Sequence, residues 1–325
     1  MKKINPNEQN AKQRLDVFLV DYFENKFPRA RLSDAIEKGL FLVNNSIQKT
    51  SYKLKLNDEI TYKENELNSF LNPDLSLKPY EFKLDILFED NYLIVLNKPK
   101  EMLCHPTKFE RENTLSNALL YHTKGVLSNL AGEDRLGIVH RLDKNTSGLM
   151  LTAKTNFAHE NLSKQIKEKT AIRKYLAITL VDFIEDEGII NKPLIHSLKD
   201  DVKMVVSDEG LEAITCYKVL EKYKGANLVE LNLKTGRTHQ IRAHLSSIGH
   251  PVFGDSLYGA KSYMRNEFYN LKTTEQLLQS YYISFVHPKT NKKMEFTLEQ
   301  KDFSKDFIKV LNFLRSKNSY EFSEY

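Results

Sequence analysis

The sequence has very little of what would announce a membrane, secreted or metal-binding protein. No apolar run approaches the ~18–20 residues that a membrane span needs. The N-terminus, MKKINPNEQN, carries two lysines with no apolar stretch behind them, so it does not form a secretion signal. Only two cysteines occur, Cys104 and Cys216, far apart and without metal-type spacing. Two reduced thiols in a cytoplasmic protein is the expectation. The nine histidines form no pattern with cysteine or carboxylate that would hold zinc, so no metal is expected. Neither a GxxxxGK[ST] loop nor a GxGxxG turn is present, which removes the usual phosphate and dinucleotide cradles.

What remains is an ordinary globular composition, 41% hydrophobic and 28% charged over 325 residues. That length can bury more than one sizeable core, so two domains are expected. A net charge of +5 permits a nucleic-acid partner without demonstrating one, because charge selects partners only where it is clustered.

Residues 1–12 are polar and expected to be flexible. A block from 13 to 62 follows. Leu15, Phe18, Leu19 and Phe23 recur at helical spacing, and a second helix is expected from about Arg31, with Leu32, Ala35 and Ile36 inward and Gly39 ending it. Short strands come next, around Phe41–Val43 and Ile60, set off by the Asn44-Asn45 and Leu56-Asn57-Asp58 turns. Helix, helix and hairpin, with basic Arg14, Lys26, Arg29, Arg31 and Lys38, resemble the S4-like RNA-binding module. The segment PRARLSDAIEKGLFLVNN carries most of that likeness. Residues 63–80 have weak periodicity and two prolines, the marks of a linker. From 81 to 325 alternating segments recur, beginning with Phe82–Phe88 and Tyr92–Leu96 around a Glu89-Asp90-Asn91 turn. The expectation is an α+β domain with a mixed, mainly antiparallel sheet flanked by helices. Phe303, Phe307, Val310, Leu311 and Leu314 form a helical stripe suited to a C-terminal cap.

The chemistry concentrates in RLGIVHRLDKNTSGLMLTAK, from Arg135 to Lys154. Leu149 to Ala153 is apolar enough for a buried strand, yet a dense polar loop feeds directly into it. Such a loop is expensive unless its groups satisfy one another, and loops on rigid scaffolds are where reacting groups sit. A second element joins a strand, Leu228–Leu233, to a helix expected over Arg237–Ile248. Ile241, Leu245 and Ile248 form its core face, and His239, Arg242 and Ser246 a polar stripe that could meet a carboxylate from elsewhere. A third is Tyr175, which alternation turns away from aliphatic Leu176, Ile178 and Leu180.

HRLDKNTSGLMLTAK resembles the signature of the RluA-type RNA pseudouridine synthases. TGRTHQIRAHLSSIGHPVFGDSLYG, Lys174-Tyr175, Asn97-Lys98-Pro99 and His105-Pro106 resemble further motifs of that family, so the likeness runs over about residues 13–300. It implies the pseudouridine synthase fold and an isomerase that needs no cofactor. It implies Asp143 as catalytic carboxylate, Arg242 as its partner and Tyr175 as the ring that stacks on a flipped uracil and assists proton removal. Arg141 resembles the arginine that enters the vacated RNA stack. His140, Arg237 and His239 resemble companion positions, and Arg29 and Arg31 would face RNA from the first domain. Glu101-Met102 stands where the family has a small pair, a departure at the local turn.

A partly buried carboxylate without a cation tends to protonate, so an arginine beside Asp143 is what the reaction asks for. Structured rRNA of the large subunit is the expected substrate, with tRNA open, and a monomer is expected. Two rivals exist. A non-catalytic RNA-binding protein would have lost the carboxylate, arginine or tyrosine, and all three are present. A glycosidase would need a second carboxylate, for which Glu133 and Asp134 are the nearest candidates.

Overall fold

The chain divides into two units, Met1–Ser76 and Leu77–Tyr325. The computed structural model describes residues 1–71, 76–200, 202–263, 266–271, 273 and 275–321.

The first unit runs β1 (Lys2–Ile4), α1 (Leu15–Tyr22), α2 (Arg29–Glu37), β2 (Phe41–Val43), β3 (Ile60–Tyr62) and α3 (Glu64–Leu71). Leu15, Phe18 and Leu19 of α1 meet Leu32, Ala35 and Ile36 of α2 in its core. Gly39 follows α2 with φ of +72°, a left-handed value that glycine adopts freely. Two expectations are corrected. Residues 1–12 are not wholly loose, because Lys2–Ile4 adds an edge strand to β3 and buries Ile4. The expected linker contains α3, whose Leu67 and Leu71, four residues apart, pack into the same core. Two apolar positions are too few to show as periodicity. Residues 72–75 of that stretch lie outside the described residues.

The second unit contains β4 (Asp85–Glu89), β5 (Leu93–Lys98), α4 (Leu115–His122), β6 (Ser147–Ala153), α5 (Asn156–Lys167), β7 (Ile172–Leu180), β8 (Glu187–Asn191), β9 (Leu194–His196), β10 (Met204–Val206), β11 (Ile214–Tyr223), β12 (Ala226–Leu233), α6 (Gln240–Ser247), β13 (Leu278–Val286), β14 (Lys293–Thr297) and α7 (Lys305–Glu321). Nine strands form one sheet in the order β4-β5-β6-β13-β7-β12-β11-β8, with β14 beside β13. The β4–β5 turn is closed by Asp90, whose Oδ1 accepts from the Tyr92 and Leu93 amides at 2.7 and 3.0 Å. On one face Tyr175, Val229 and Leu231 pack with Leu115 and Leu119 of α4 and Ile241 and Leu245 of α6. On the other, Leu176, Ile178 and Leu180 pack with Phe307, Val310 and Leu311 of α7. The mixed, mainly antiparallel sheet and the C-terminal helical stripe are as expected.

Among the described strands only β6 and β13 pair in parallel, through Gln279↔Ser147 and Ser280↔Gly148. Gly148 has φ of +124°, and a β-carbon there would lie 2.1 Å from the Ser280 carbonyl oxygen. The glycine of the TSG sequence is therefore fixed by close backbone approach, directly downstream of the Asp143 loop.

Candidate active site

The loop that carries Asp143 is pinned on both sides. Lys98, fully buried at the end of β5, donates from Nζ to the carbonyls of Pro99, Met102 and Lys144 at 2.7, 2.9 and 3.2 Å. Burial pushes its ammonium down to about 8, against the opposing pull of Cys104 and Asp143. Cys104 donates from Sγ to the Leu142 carbonyl at 3.1 Å and accepts the Leu142 amide at 3.3 Å. Burial raises that thiol above its ordinary value, which keeps it a donor. Residues 142 and 144 are thus held, and Asp143 projects between them. The unusual Glu101-Met102 pair leaves the turn intact. Glu101 takes a φ of +62°, and Met102 buries its side chain while its carbonyl accepts from Lys98.

Arg242 reaches Asp143 from α6. Its Nη1 donates to Asp143 Oδ2 at 3.1 Å, and its Nε and Nη2 donate to Asp255 Oδ2 and Oδ1 at 2.6 and 3.0 Å. The guanidinium also lies over the Tyr258 ring, 5.1 Å from its centroid. Burial alone would push Arg242 down, but the bonds and charges of Asp255 and then Asp143 hold it above its ordinary value. It stays a cation with one edge committed to structure and one Nη facing Asp143.

The helix is shorter than expected, and on its polar stripe Arg242 is buried while His239 and Ser246 are half-buried. It starts at Gln240 because His239 takes a left-handed φ of +51°. Gln240 locks the preceding loop, accepting from Thr235 Oγ1 at 2.7 Å and the Arg237 amide at 3.0 Å while its amide donates to the Ile214 carbonyl at 3.0 Å. Gln240 to Leu245 are all buried, Arg242 and His244 included.

Tyr175 sits on β7, facing away from its aliphatic neighbours as expected. It lines, with Asp143, Arg242, Arg141, His239 and Thr146, a small cleft of about 50 Å³. Among the residues lining that cleft Asp143 is the sole carboxylate. Burial raises the Tyr175 phenol above its ordinary value. His239 Nε2 is 3.9 Å from Asp143 Oδ2, and its Nδ1 is 3.2 Å from the Tyr258 hydroxyl. Arg141 is exposed and donates to Thr238 Oγ1 at 2.8 Å. Arg237 points elsewhere, to the Glu212 carbonyl at 3.0 Å. Asp134, a candidate second acid for a glycosidase, pairs with Arg111 at 2.7 Å. In the first unit Arg29 bonds the buried carboxylate of Asp16 at 2.8 Å. Arg31 donates to the Phe70 carbonyl at 2.7 Å and lies over the Phe70 ring. Both arginines therefore brace their own fold, Arg29 from an exposed position and Arg31 from a half-buried one.

His140 is buried beneath this loop, and its Nε2 accepts the Leu151 amide at 3.0 Å. Burial, helped by Arg173, pushes it down to about 3; burial, with Arg135 and Arg141, takes His105 to about 4. An unfolded chain protonates both near 6.5, so it binds more protons than the fold between these limits. Their contribution to stability is present above 6.5 and is lost as pH falls below it. The urea midpoint is therefore expected to drop on acidification from pH about 6.5 to about 5, before most carboxylates titrate. The His140→Gln variant should show a shallower drop; an unchanged slope rules out His140 as a source.

Sequence reasoning assigned no role to Asp255, Tyr258 or Arg173. The signal for Asp255 lay inside the quoted FGDSLYG, where Gly254 takes φ of +79° and a β-carbon would lie 2.2 Å from the Glu275 carbonyl oxygen. An acid after a forced glycine turn is held in place by backbone.

Residues 92–247 match the family model described as RNA pseudouridylate synthase. A Bacillus subtilis protein named uncharacterized RNA pseudouridine synthase YlyB is 37% identical over 293 residues, covering 90% of this chain and 92% of that one. The chain belongs to the RluA-type RNA pseudouridine synthases. The synthase is thus an isomerase acting on RNA. It is also 38% identical over 306 residues to the ribosomal large subunit pseudouridine synthase D of Zymomonas mobilis, covering 92% of this chain and 93% of that one. The solved structure of human RNA pseudouridylate synthase domain containing 4 overlays with a TM-score of 0.54 at 23% identity, covering 71% of this chain and 93% of that one. That is a likeness of fold. Among the described residues of the synthase no helix is long and apolar enough to cross a membrane.

Proposed function

We propose that this synthase converts specific uridines of large-subunit rRNA to pseudouridine, with Asp143 as the catalytic carboxylate. The observation that carries the reading is the Asp143–Arg242 bond at 3.1 Å in a cleft also lined by Tyr175. The relatives in Zymomonas mobilis and Buchnera aphidicola named as ribosomal large subunit pseudouridine synthase D favour rRNA over tRNA.

The reaction breaks the N-glycosidic bond, turns the uracil and rejoins it to the ribose through carbon. It needs one ionised carboxylate near the anomeric carbon and a pocket that keeps the detached base. Asp143 supplies the first, and Arg242, fixed by Asp255, neutralises it without occupying the cleft. Tyr175 supplies a flat face, and stacking holds a base for roughly 1–3 kcal/mol. Its raised phenol keeps its proton at neutral pH, which suits stacking first and proton transfer only after the base has moved. A duplexed uridine must leave its stack at a cost of a few kcal/mol, which exposed Arg141 helps offset by entering the gap. The cleft's single carboxylate weighs against hydrolysis by paired acids. The first unit acts as an S4-like RNA-binding module, with Arg29 and Arg31 on its basic face.

Purified full-length protein, given a large-subunit rRNA transcript and no added cofactor, is expected to form pseudouridine at discrete positions. Mapping total RNA from cells with and without the protein identifies them. Sites confined to tRNA would replace the rRNA assignment; release of free base or ribose instead of pseudouridine would overturn the reaction.

A further inference from the structure

A second cleft, of about 390 Å³, adjoins the first and shares Arg141, Tyr175 and Leu233 with it. Its walls carry Arg141, Lys167, Lys169, Arg173, Lys234 and Arg237 against one carboxylate, the exposed Glu212. Surface lysines alone would mean little. Arg173 is different. It is only 7% exposed, and among the described residues no hydrogen bond or ion pair engages its side chain; its Nε is buried without a partner. Proteins rarely leave a mostly buried arginine without a counter-charge, because the loss of hydration is severe.

A second orphan lines the same cleft. His140 uses Nε2 to accept the Leu151 amide, so its neutral ring carries the proton on Nδ1, and that buried nitrogen has no partner. Both orphans are donors, and both wait for an acceptor. Arg173 and Tyr175 are two residues apart on β7 and so share a face. Gly236 borders the guanidinium: a β-carbon there would stand in ordinary contact, 3.7 and 3.8 Å from Arg173 Nη1 and Nη2.

We propose that this cleft is a phosphodiester subsite, in which Arg173 anchors a backbone phosphate of the RNA next to the nucleotide held against Tyr175. The inference rests on the RNA-modifying reading above and adds to it a residue, a ligand group and a place. A planar guanidinium matches two phosphate oxygens at once, and the surrounding lysines and arginines add charge without geometry. A strand whose base enters the first cleft lays its flanking linkage across the second.

The test uses full-length protein and a large-subunit rRNA transcript, reading turnover by tritium release from C5-labelled uridine and binding by filter retention over a range of KCl. Arg173→Gln is expected to raise KM and the dissociation constant about tenfold, with the effect on KM rather than kcat. The slope of log affinity against log salt should become shallower by roughly 0.7–0.9, the loss of one phosphate contact. Arg173→Lys keeps the charge and should restore most of the slope. Lys234→Gln, on an exposed residue that cannot compromise folding, should weaken binding by a smaller factor and also flatten the slope. Unchanged binding and slope in both neutral variants would overturn the subsite, as would an Arg173→Gln loss confined to kcat. Should Arg173→Gln misfold, Lys234→Gln decides alone. An inactive wild type that still binds RNA sinks the functional reading, while the salt slopes continue to judge the cleft.

Discussion

Replacing Asp143 with asparagine is expected to lower turnover roughly ten-thousandfold or more, the scale seen when a reacting group is removed from a catalytic unit. Asparagine keeps the shape and can still accept a bond from Arg242 but cannot supply a negative oxygen. The fold should barely notice, since Arg242 retains its two bonds to Asp255 and the loop keeps its ties through Lys98 and Cys104. Tritium release measures the first expectation, and urea denaturation the second. Normal turnover in a folded Asp143→Asn protein would remove Asp143 from the chemistry.

The second large effect is expected at Asp255, which does not itself line the cleft but holds Arg242, which does. Asp255→Asn should lower kcat about a hundredfold, because a guanidinium freed on one side no longer presents Nη1 to Asp143 within the tolerance that reacting groups need. It should also reduce folding stability by on the order of 3–5 kcal/mol, since Arg242 is left buried with its better partner gone. The two effects separate in the double variant. With Asp143 already replaced, Asp255→Asn should cost little further activity but at least as much stability, because the buried guanidinium then loses both carboxylates. If the kcat losses instead multiply, Asp255 acts on the reaction by some route other than positioning Arg242.

The trio in the cleft was legible because a reacting loop leaves an unusual local record: many polar residues immediately ahead of an apolar strand. The alternation that turned Tyr175 away from Leu176, Ile178 and Leu180 was equally direct, since strand periodicity depends only on the residues themselves. Helix α6 was legible as a helix but not in its burial. The stripe of histidine, arginine and serine was placed to meet a carboxylate, but its further partners, Asp255 and Tyr258, arrive from a segment that was given no role. Arg173 was hidden for the opposite reason. One arginine in IRKYLA looks like any strand-edge cation, and only burial without a counter-charge sets it apart. Short elements escaped as well, β1 with one inward residue and α3 with two.

The parallel contact between β6 and β13 has a consequence for how the molecule can be divided. Asp143 enters on the β6 side of that suture, whereas Tyr175 and Arg242 belong to the side built on β13, β7 and β12. Two backbone ladder pairs, reinforced by Ser147 Oγ on Gln279 and Ser280 Oγ on the Leu149 carbonyl, mark the junction, and the carboxylate and its guanidinium face one another across it. Neither half of the sheet, expressed alone, would own a working set of groups.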